Sequence, residues 1–340
     1  MNLKYCFLLL FCFAFILKSF SQETPSEDYK HLSNPQTWTY LQTMKVIDSL
    51  DKANPVSYWS KQNKFSADIS EVTYTNWSAG GSNSISFLFN VDIKRTYERK
   101  NIRWQNEFIA LYGLHAEKGR KLRKTDDQLE LNSTFGYRTS EFSGWFYSAK
   151  MNLKSQFDRG FNYPDRENSI SSFMAPGYLF SGIGAEYGRD SDKFTLYISP
   201  STIKTTFVYD QRLANEGAFG VNPAVYDIHG NMIRKGRSSK TEFGILVTNE
   251  YNTEIAKNID FSNRLSLYTD YLNDFGNIDV DWKVEFNFKV NSFVAAKIVS
   301  HLKYDNNTKT KEFDDFGEEI IRGAKVQWKQ QLGLGIVIDI

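Results

Sequence analysis

The chain has 340 residues, 41% hydrophobic and 16% aromatic, with 19 Tyr, 27 Phe and 7 Trp. Lys and Arg total 41 against 40 Asp and Glu, and a net charge of +1 excludes a global electrostatic pull toward nucleic acid. Both cysteines, Cys6 and Cys12, fall in the first segment, so the remainder has no disulfide, no thiol nucleophile and no Cys metal site.

The opening run MNLKYCFLLLFCFAFILKSFS reads as a secretory signal peptide over 1–21. Lys4 supplies the positive start and Tyr5 to Leu17 the apolar run. Ser19 and Ser21 place small residues before a cut ahead of Gln22. The apolar run, about 13 residues, is shorter than the roughly 20 of a spanning helix. Bulky Phe11 argues against a lipoprotein cut at Cys12. Residues 22–60 then read as a periplasmic segment with one short helix. Asn34 caps it, Pro35 takes the first position, and Trp38, Leu41, Met44, Ile47 and Leu50 recur at spacing three before Asn54-Pro55.

From residue 61 the period changes to two. Ile85, Phe87, Phe89, Val91 and Ile93 alternate with Ser84, Ser86, Asn90, Asp92 and Lys94. Ile278, Val280, Trp282, Val284, Phe286, Phe288 and Val290 alternate with Asp279, Asp281, Lys283, Glu285, Asn287 and Lys289. Such runs exceed the usual strand of about 5 or 6 residues and suit a tilted membrane strand. The spacing predicts twelve: 65–75, 83–98, 101–115, 126–139, 144–157, 172–189, 193–209, 239–254, 257–272, 278–290, 293–305 and 323–340. Turns near Lys100, Ser143, Ser191, Ala256 and Asn291 are short, whereas 116–125, 158–171, 210–238 and 306–322 are long. That segregation predicts an all-β fold: a closed antiparallel transmembrane β-barrel over 61–340, in the outer membrane. One position sits awkwardly. Asn106 shares the lipid-facing side with Trp104, Phe108 and Tyr112, which calls for an interfacial depth or a bulge.

The last ten residues, QLGLGIVIDI, place Leu332, Leu334, Ile336, Ile338 and Ile340 on one face. The ladder is expected to face lipid and to close against the first strand, since a closed barrel leaves no apolar edge. It is also the strand the barrel-assembly machinery is expected to read, although the chain ends on Ile340 where a terminal Phe or Trp is usual.

Several stretches resemble an uncharacterised family of outer-membrane β-barrel proteins from Bacteroidetes, catalogued as a domain of unknown function. They are the turn Asn76-Trp77-Ser78-Ala79-Gly80-Gly81, Trp104-Gln105-Asn106 with Tyr112-Gly113, and Lys124-Thr125-Asp126-Asp127. Ser172-Phe173-Met174-Ala175-Pro176-Gly177-Tyr178 and Gly217-Ala218-Phe219-Gly220-Val221 complete the likeness. The resemblance implies an outer-membrane barrel and brings no activity with it.

Chemistry-bearing residues are few. His31, His115, His229 and His301 have no partner at metal-ligand spacing, and no HExxH or G-x-S-x-G occurs. No metal, cofactor or catalytic residue is expected. The lumen-facing candidates are Asp92, Lys94, Arg103, Glu107, Glu130, Lys150, Lys154, Asp281, Lys283, Glu285 and Lys289, with Arg138. Paired across strands they brace a narrow interior; unpaired, they line a small aqueous path. The functional expectation is a porin-like passive channel for small polar solutes. The alternative is a closed barrel meeting a partner through the 210–238 loop or the N-terminal segment. A lipid-acting enzyme using His115 or His301 at the rim comes last.

Overall fold

Long β-branched and aromatic runs of period two have one apolar face each, and twelve such faces are all buried only if the sheet closes with those faces outward into lipid. The computed structural model describes residues 45, 57–73, 82–188, 193–273, 275–313 and 319–339. The signal peptide and the 34–55 helix expected from the sequence lie outside these residues, Lys45 excepted. The folded body described below is 58–340.

The barrel strands are β1 (Trp59–Val72), β2 (Ser84–Arg99), β3 (Ile102–Glu117), β4 (Arg123–Tyr137), β5 (Trp145–Ser155) and β6 (Gly177–Tyr187). They continue as β7 (Phe194–Phe207), β8 (Ser239–Ala256), β9 (Ile259–Asp270), β10 (Asp279–Lys289), β11 (Val294–Tyr304) and β12 (Gln327–Asp339). Each pairs antiparallel with its sequence neighbour, and β1 pairs with β12 to close the ring, Phe65 opposite Ile338 and Ile69 opposite Leu334. The chain is therefore a closed twelve-strand antiparallel barrel.

Polarity is inverted relative to a soluble barrel. Leu332, Leu334, Ile336 and Ile338 point outward at 75%, 54%, 55% and 46% exposure. Lys204, Glu186, Thr202 and Ser199 are buried inside. An apolar exterior around a charged interior is the transmembrane arrangement. No helix among the described residues is long and apolar enough to cross a membrane. Gly335 points inward opposite Asp68; an added Cβ would lie 2.1 Å from the Asp68 carboxylate, so the closing seam needs the missing side chain.

The lipid-facing Asn106 is explained by hydrogen bonds. Trp104 Nε1–H donates to Ser133 Oγ at 3.0 Å, and Ser133 Oγ–H donates to Asn106 Oδ1 at 2.9 Å. The register is continuous there, and the β3–β4 irregularity falls at Gly113/Leu114 instead. Two other outward indoles behave alike: Trp282 donates to Asn263 Oδ1 at 2.8 Å and Trp328 to Ser300 Oγ at 2.9 Å. Ser133, Asn263 and Ser300 each satisfy an outward indole N–H that lipid cannot, and Asn106 in turn accepts from Ser133.

Strand β7 carries a bulge at Ser199–Ser201, since its register shifts against both β6 and β8 at this point. Pro200, which has no N–H to give a ladder, occupies it. Ser199 Oγ–H donates to Ile183 O at 2.8 Å, and Tyr271 O–H donates to Pro200 O at 2.8 Å. Facing the bulge, Gly244 lies so close to β9 that an added Cβ would be 1.9 Å from Thr269 O. Gly244→Ala is expected to cost more than about 3 kcal/mol, beyond ordinary overpacking. Loss of the fast-migrating folded band on an unheated gel would report it.

Three strand starts differ most from the sequence reading. β1 begins at Trp59 rather than 65, because Lys61 and Asn63 continue the extended chain without an apolar signal. β6 begins at Gly177, because Ser172 and Ala175 exchange backbone hydrogen bonds in a tight turn. β12 begins at Gln327, because Glu319–Ala324 pairs with Lys309–Phe313 in a separate hairpin. The contrast between short turns and long loops is also looser than expected. The β3–β4 connection, 118–122, is shorter than the β4–β5 connection, 138–144, which held Ser143.

The longest loop, 208–238, is built rather than loose. Asp210 caps α1 (Gln211–Asn215) by accepting from the Arg212 and Leu213 amides. Leu213, Ala214 and Val221 bury against Ala175 and Val208. A two-stranded hairpin, Val225–Tyr226 with Met232–Arg234, projects beyond it. At its turn Asp227 accepts from the backbone amides of His229 (2.9 Å) and Asn231 (2.7 Å) and from the Asn231 side chain (3.1 Å). The Asn231 side-chain bond, then its backbone amide, hold the Asp227 carboxyl below its ordinary 3.8. A carboxyl depressed on folding contributes stability above its unfolded value and loses it as pH falls through the folded one. The Asn231 amide resonance is expected to follow this carboxyl and to move at lower pH than an ordinary aspartate would dictate, in an NMR titration.

Candidate functional site

Inside the barrel, alternation aims every second side chain at the axis, and the charged ones meet in successive tiers. Near the short-turn end, Arg103 on β3 pairs with Glu186 on β6, both buried, with the guanidinium 4.0 Å above the Phe146 ring. Lys297 on β11 reaches Asp68 (3.5 Å) and Ser66 (2.8 Å) on β1. Lys283 pairs with Glu285 at 3.2 Å, and Lys289 with Asp260 at 2.8 Å. Arg138 lies past the end of β4, where it meets Glu98 at 3.3 Å and the Phe146 ring at 5.0 Å. It belongs to the inner turn rather than to the lumen wall, because β4 stops at Tyr137.

The middle tier crosses the lumen. Arg264 on β9 pairs with Glu107 on β3 at 2.5 Å, and these strands stand six apart either way round the ring of twelve. Twelve strands spaced about 4.8 Å and tilted about 40° make a round barrel roughly 24 Å across, more than one Arg and one Glu can bridge. The cross-section is therefore flattened between β3 and β9. Asn132 donates to Glu107 at 2.9 Å. Asp92 and Lys94 lie on the β2 wall beside this pair, Asp92 in the field of Glu107, Arg264, Lys64 and Lys94. Lys154 on β5 crosses to Asp281 on β10 at 3.0 Å and approaches Glu130 at 3.8 Å. Asp281 also meets His301 Nε2 at 2.7 Å. Glu130 accepts from Asn152 at 2.7 Å and Gln128 at 2.9 Å. Lys329 on β12 pairs with Asp126 on β4. Lys150 donates to Thr248 on β8 at 3.1 Å and stands 5.4 Å from the Tyr197 ring.

Toward the loop end an aromatic layer and a cage follow. Tyr197, Leu246 and Tyr268 are buried against one another, with Phe180 edge-on to Tyr268 at 5.6 Å. Lys204, at 2% exposure, reaches Asp279 (2.6 Å), Asp305 (3.5 Å) and Glu242 (3.8 Å). The rings of Tyr178, Phe180 and Tyr268 surround its ammonium at 6.0, 6.0 and 5.3 Å. Asn307, from the β11–β12 loop, accepts from Lys240 (2.7 Å) and donates to Glu242 (3.1 Å). Gly220 of the 208–238 loop packs on Asn307, close enough that an added Cβ would be 2.7 Å away. The long loop thus rests on a mouth that side chains already occupy.

Histidine chemistry is limited. Ser86 Oγ and His115 Nδ1 are 2.8 Å apart, a pair of residues 29 apart in sequence that spacing alone did not reveal. Ser86 shares the inward face of β2 with Asp92 and Lys94, and among the described residues no acidic group orients the imidazole. Among the described residues no three His, Cys, Asp or Glu side chains converge to hold a metal.

Over residues 69–161 the chain matches the model of a family described as Protein of unknown function (DUF3078). No curated protein matches it. Among solved structures it is similar to the COG4313 outer membrane channel from Pseudomonas putida F1, at 11% identity over 94% of this chain and 100% of that one, with a TM-score of 0.38. The translocator domain of autotransporter NalP from Neisseria meningitidis is similar at 10% identity, 89% and 95% coverage and TM-score 0.29. The outer membrane channel DcaP of Acinetobacter baumannii is similar at 9% identity, 83% and 97% coverage and TM-score 0.25.

Proposed function

We propose that this chain is an outer-membrane barrel with a closed lumen, whose loop end is its working surface and which performs no chemical step. The observation that carries this reading is the Glu107–Arg264 pair, which joins opposite walls of the barrel. Lys154–Asp281 and Asp126–Lys329 tie further pairs of walls together. Export by the 1–21 signal peptide and insertion through β12 by the barrel-assembly machinery complete the proposal, with the loops outside the cell and lipid around the wall.

The test is planar-bilayer conductance of the refolded protein and of a variant lacking 212–236. Silence in both is expected, because the cross-lumen ties do not involve that loop. Conductance appearing only on deletion would make the loop a plug, and steady wild-type conductance would overturn the closed reading. The second reading, a passive path for small polar solutes, is favoured by the charged wall and would stand on that last outcome.

A further inference from the structure

A cavity of about 640 Å³ opens where the 208–238 loop returns to the barrel, lined by Asn222, Arg237, Ser238, Ser239, Lys240 and Thr241 with the Gly236 backbone. Its lining residues include Arg237, Lys240 and three hydroxyl residues, and none of them is acidic. Lys240 is engaged by Glu242 at 2.9 Å and Asn307 at 2.7 Å. The Arg237 guanidinium has no hydrogen-bond or ion-pair partner among the described residues, although its backbone is fixed. Arg237 N–H donates to Asn222 O at 2.9 Å, and the preceding Gly236 is held by Asn215 Oδ1 (2.9 Å) and Gln211 (3.0 Å). Arg234 and Lys235, both exposed, extend the positive field beside it.

The neighbouring residues on β8 and β7 place the cavity against the outer face. Lys240 and Glu242 turn inward, so Ser239 and Thr241 sit on the outer wall, Thr241 opposite Thr205 with hydroxyls 3.3 Å apart. One pair deeper come Phe243 and Ile203, outward-facing at 39% and 48% exposure, with Phe243 against Tyr271 at 5.4 Å. The cavity thus lies one residue pair beyond Phe243 and Ile203, with Phe207 opposite Ser239, so its floor borders the apolar outer face. A planar five-donor guanidinium matches a phosphate oxygen pair, and hydroxyls complete its shell.

We infer that this cavity is a phosphate-ester site, with Arg237 as its principal ligand and Ser238, Ser239 and Thr241 as supporting donors. The phosphate comes from a membrane lipid headgroup or from a soluble phosphorylated sugar. The inference goes beyond the closed-lumen reading and holds whether or not the lumen conducts.

Two arms separate the sources. Wild type, Arg237→Gln, Arg237→Lys and the distant control Lys121→Gln are each placed in nanodiscs of phosphatidylcholine with one-fifth phosphatidic acid, and lipid retained on the barrel is read by native mass spectrometry. The same proteins in neutral detergent are titrated calorimetrically with glucose 6-phosphate and with inorganic phosphate. Arg237→Gln is expected to lower binding about tenfold, the worth of a charge-assisted hydrogen bond, in at least one arm. Arg237→Lys should retain part of it, and Lys121→Gln all of it. Loss confined to the nanodisc arm assigns a headgroup; loss in the calorimetric arm assigns a soluble ester. Equal binding by wild type and Arg237→Gln in both arms, with the folded gel band intact, overturns the site.

Discussion

Glu107→Ala combined with Asp281→Ala is expected to turn a silent barrel into a conducting one. These two carboxylates anchor the arms that cross from other walls, Arg264 to Glu107 at 2.5 Å and Lys154 to Asp281 at 3.0 Å. At an effective dielectric of about 20, unit charges 4 Å apart attract by about 4 kcal/mol before desolvation is subtracted, several times RT. These two ties hold the middle of the lumen, with Asp126–Lys329 as a third. Removing Glu107 gives Arg264 a local alternative, because Glu250 stands directly opposite it on the adjacent strand β8. The arginine then folds back along its own wall. Lys154 likewise keeps Glu130 on the neighbouring strand β4. Stepwise conductance in a planar bilayer should be largest for the double variant and smaller for either single one. The exchange Glu107→Arg with Arg264→Glu should restore silence, since it rebuilds the tie with reversed signs. Conductance unchanged across the set would mean that the crossing pairs do not control the lumen.

The twelve strands were legible because lipid imposes one simple rule on the outer face: an apolar residue at every second position for the thickness of the bilayer. Runs such as Ile85 to Ile93 and Val280 to Phe288 carry that rule with little noise. Alternation also states which wall residues turn inward, and it would have flagged Arg264 between Asn263 and Leu265. It fails at Lys204. Phe194, Leu196 and Ile198 share its even parity and lie outward, so strict alternation sends Lys204 into lipid. The bulge at Pro200 inserts one residue and reverses the parity, which brings Lys204 inside and Ile203 outside. Partnership across the lumen was not legible at all. Glu107 and Arg264 are 157 residues apart, and what joins them is the flattening of the ring, a property of all twelve strands together. The start of β1 was missed for a related reason: the outward positions Lys61 and Asn63 lie where an apolar signal is not required.

The buried cage around Lys204 predicts the largest stability loss in the molecule. Lys204→Met keeps the length of the side chain and its contact with the three rings, but removes the one cation that, among the described residues, meets Asp279, Asp305 and Glu242 together. Taking one partner from a buried ion pair costs about 3–5 kcal/mol, because the remaining charges stay desolvated and uncompensated. Three carboxylates around one ammonium put this site at the upper end of that range, and at 2% exposure salt will screen it little. The loss should appear as a lower urea midpoint with an unchanged slope, since the surface exposed on unfolding stays the same. It should also release the mouth. Asn306 N–H donates to Asp279 at 3.2 Å and Asn307 holds Glu242, so repulsion among the carboxylates pushes on the 305–326 loop and on Gly220 above it. Limited proteolysis in that loop should accelerate in Lys204→Met. Adding Asp279→Asn and Asp305→Asn removes the unpaired charges and should recover most of the midpoint, since a neutral cage needs no counterion. Recovery would locate the cost in electrostatics; a double loss without recovery would locate it in packing and remove the cage from the account of how the mouth is held.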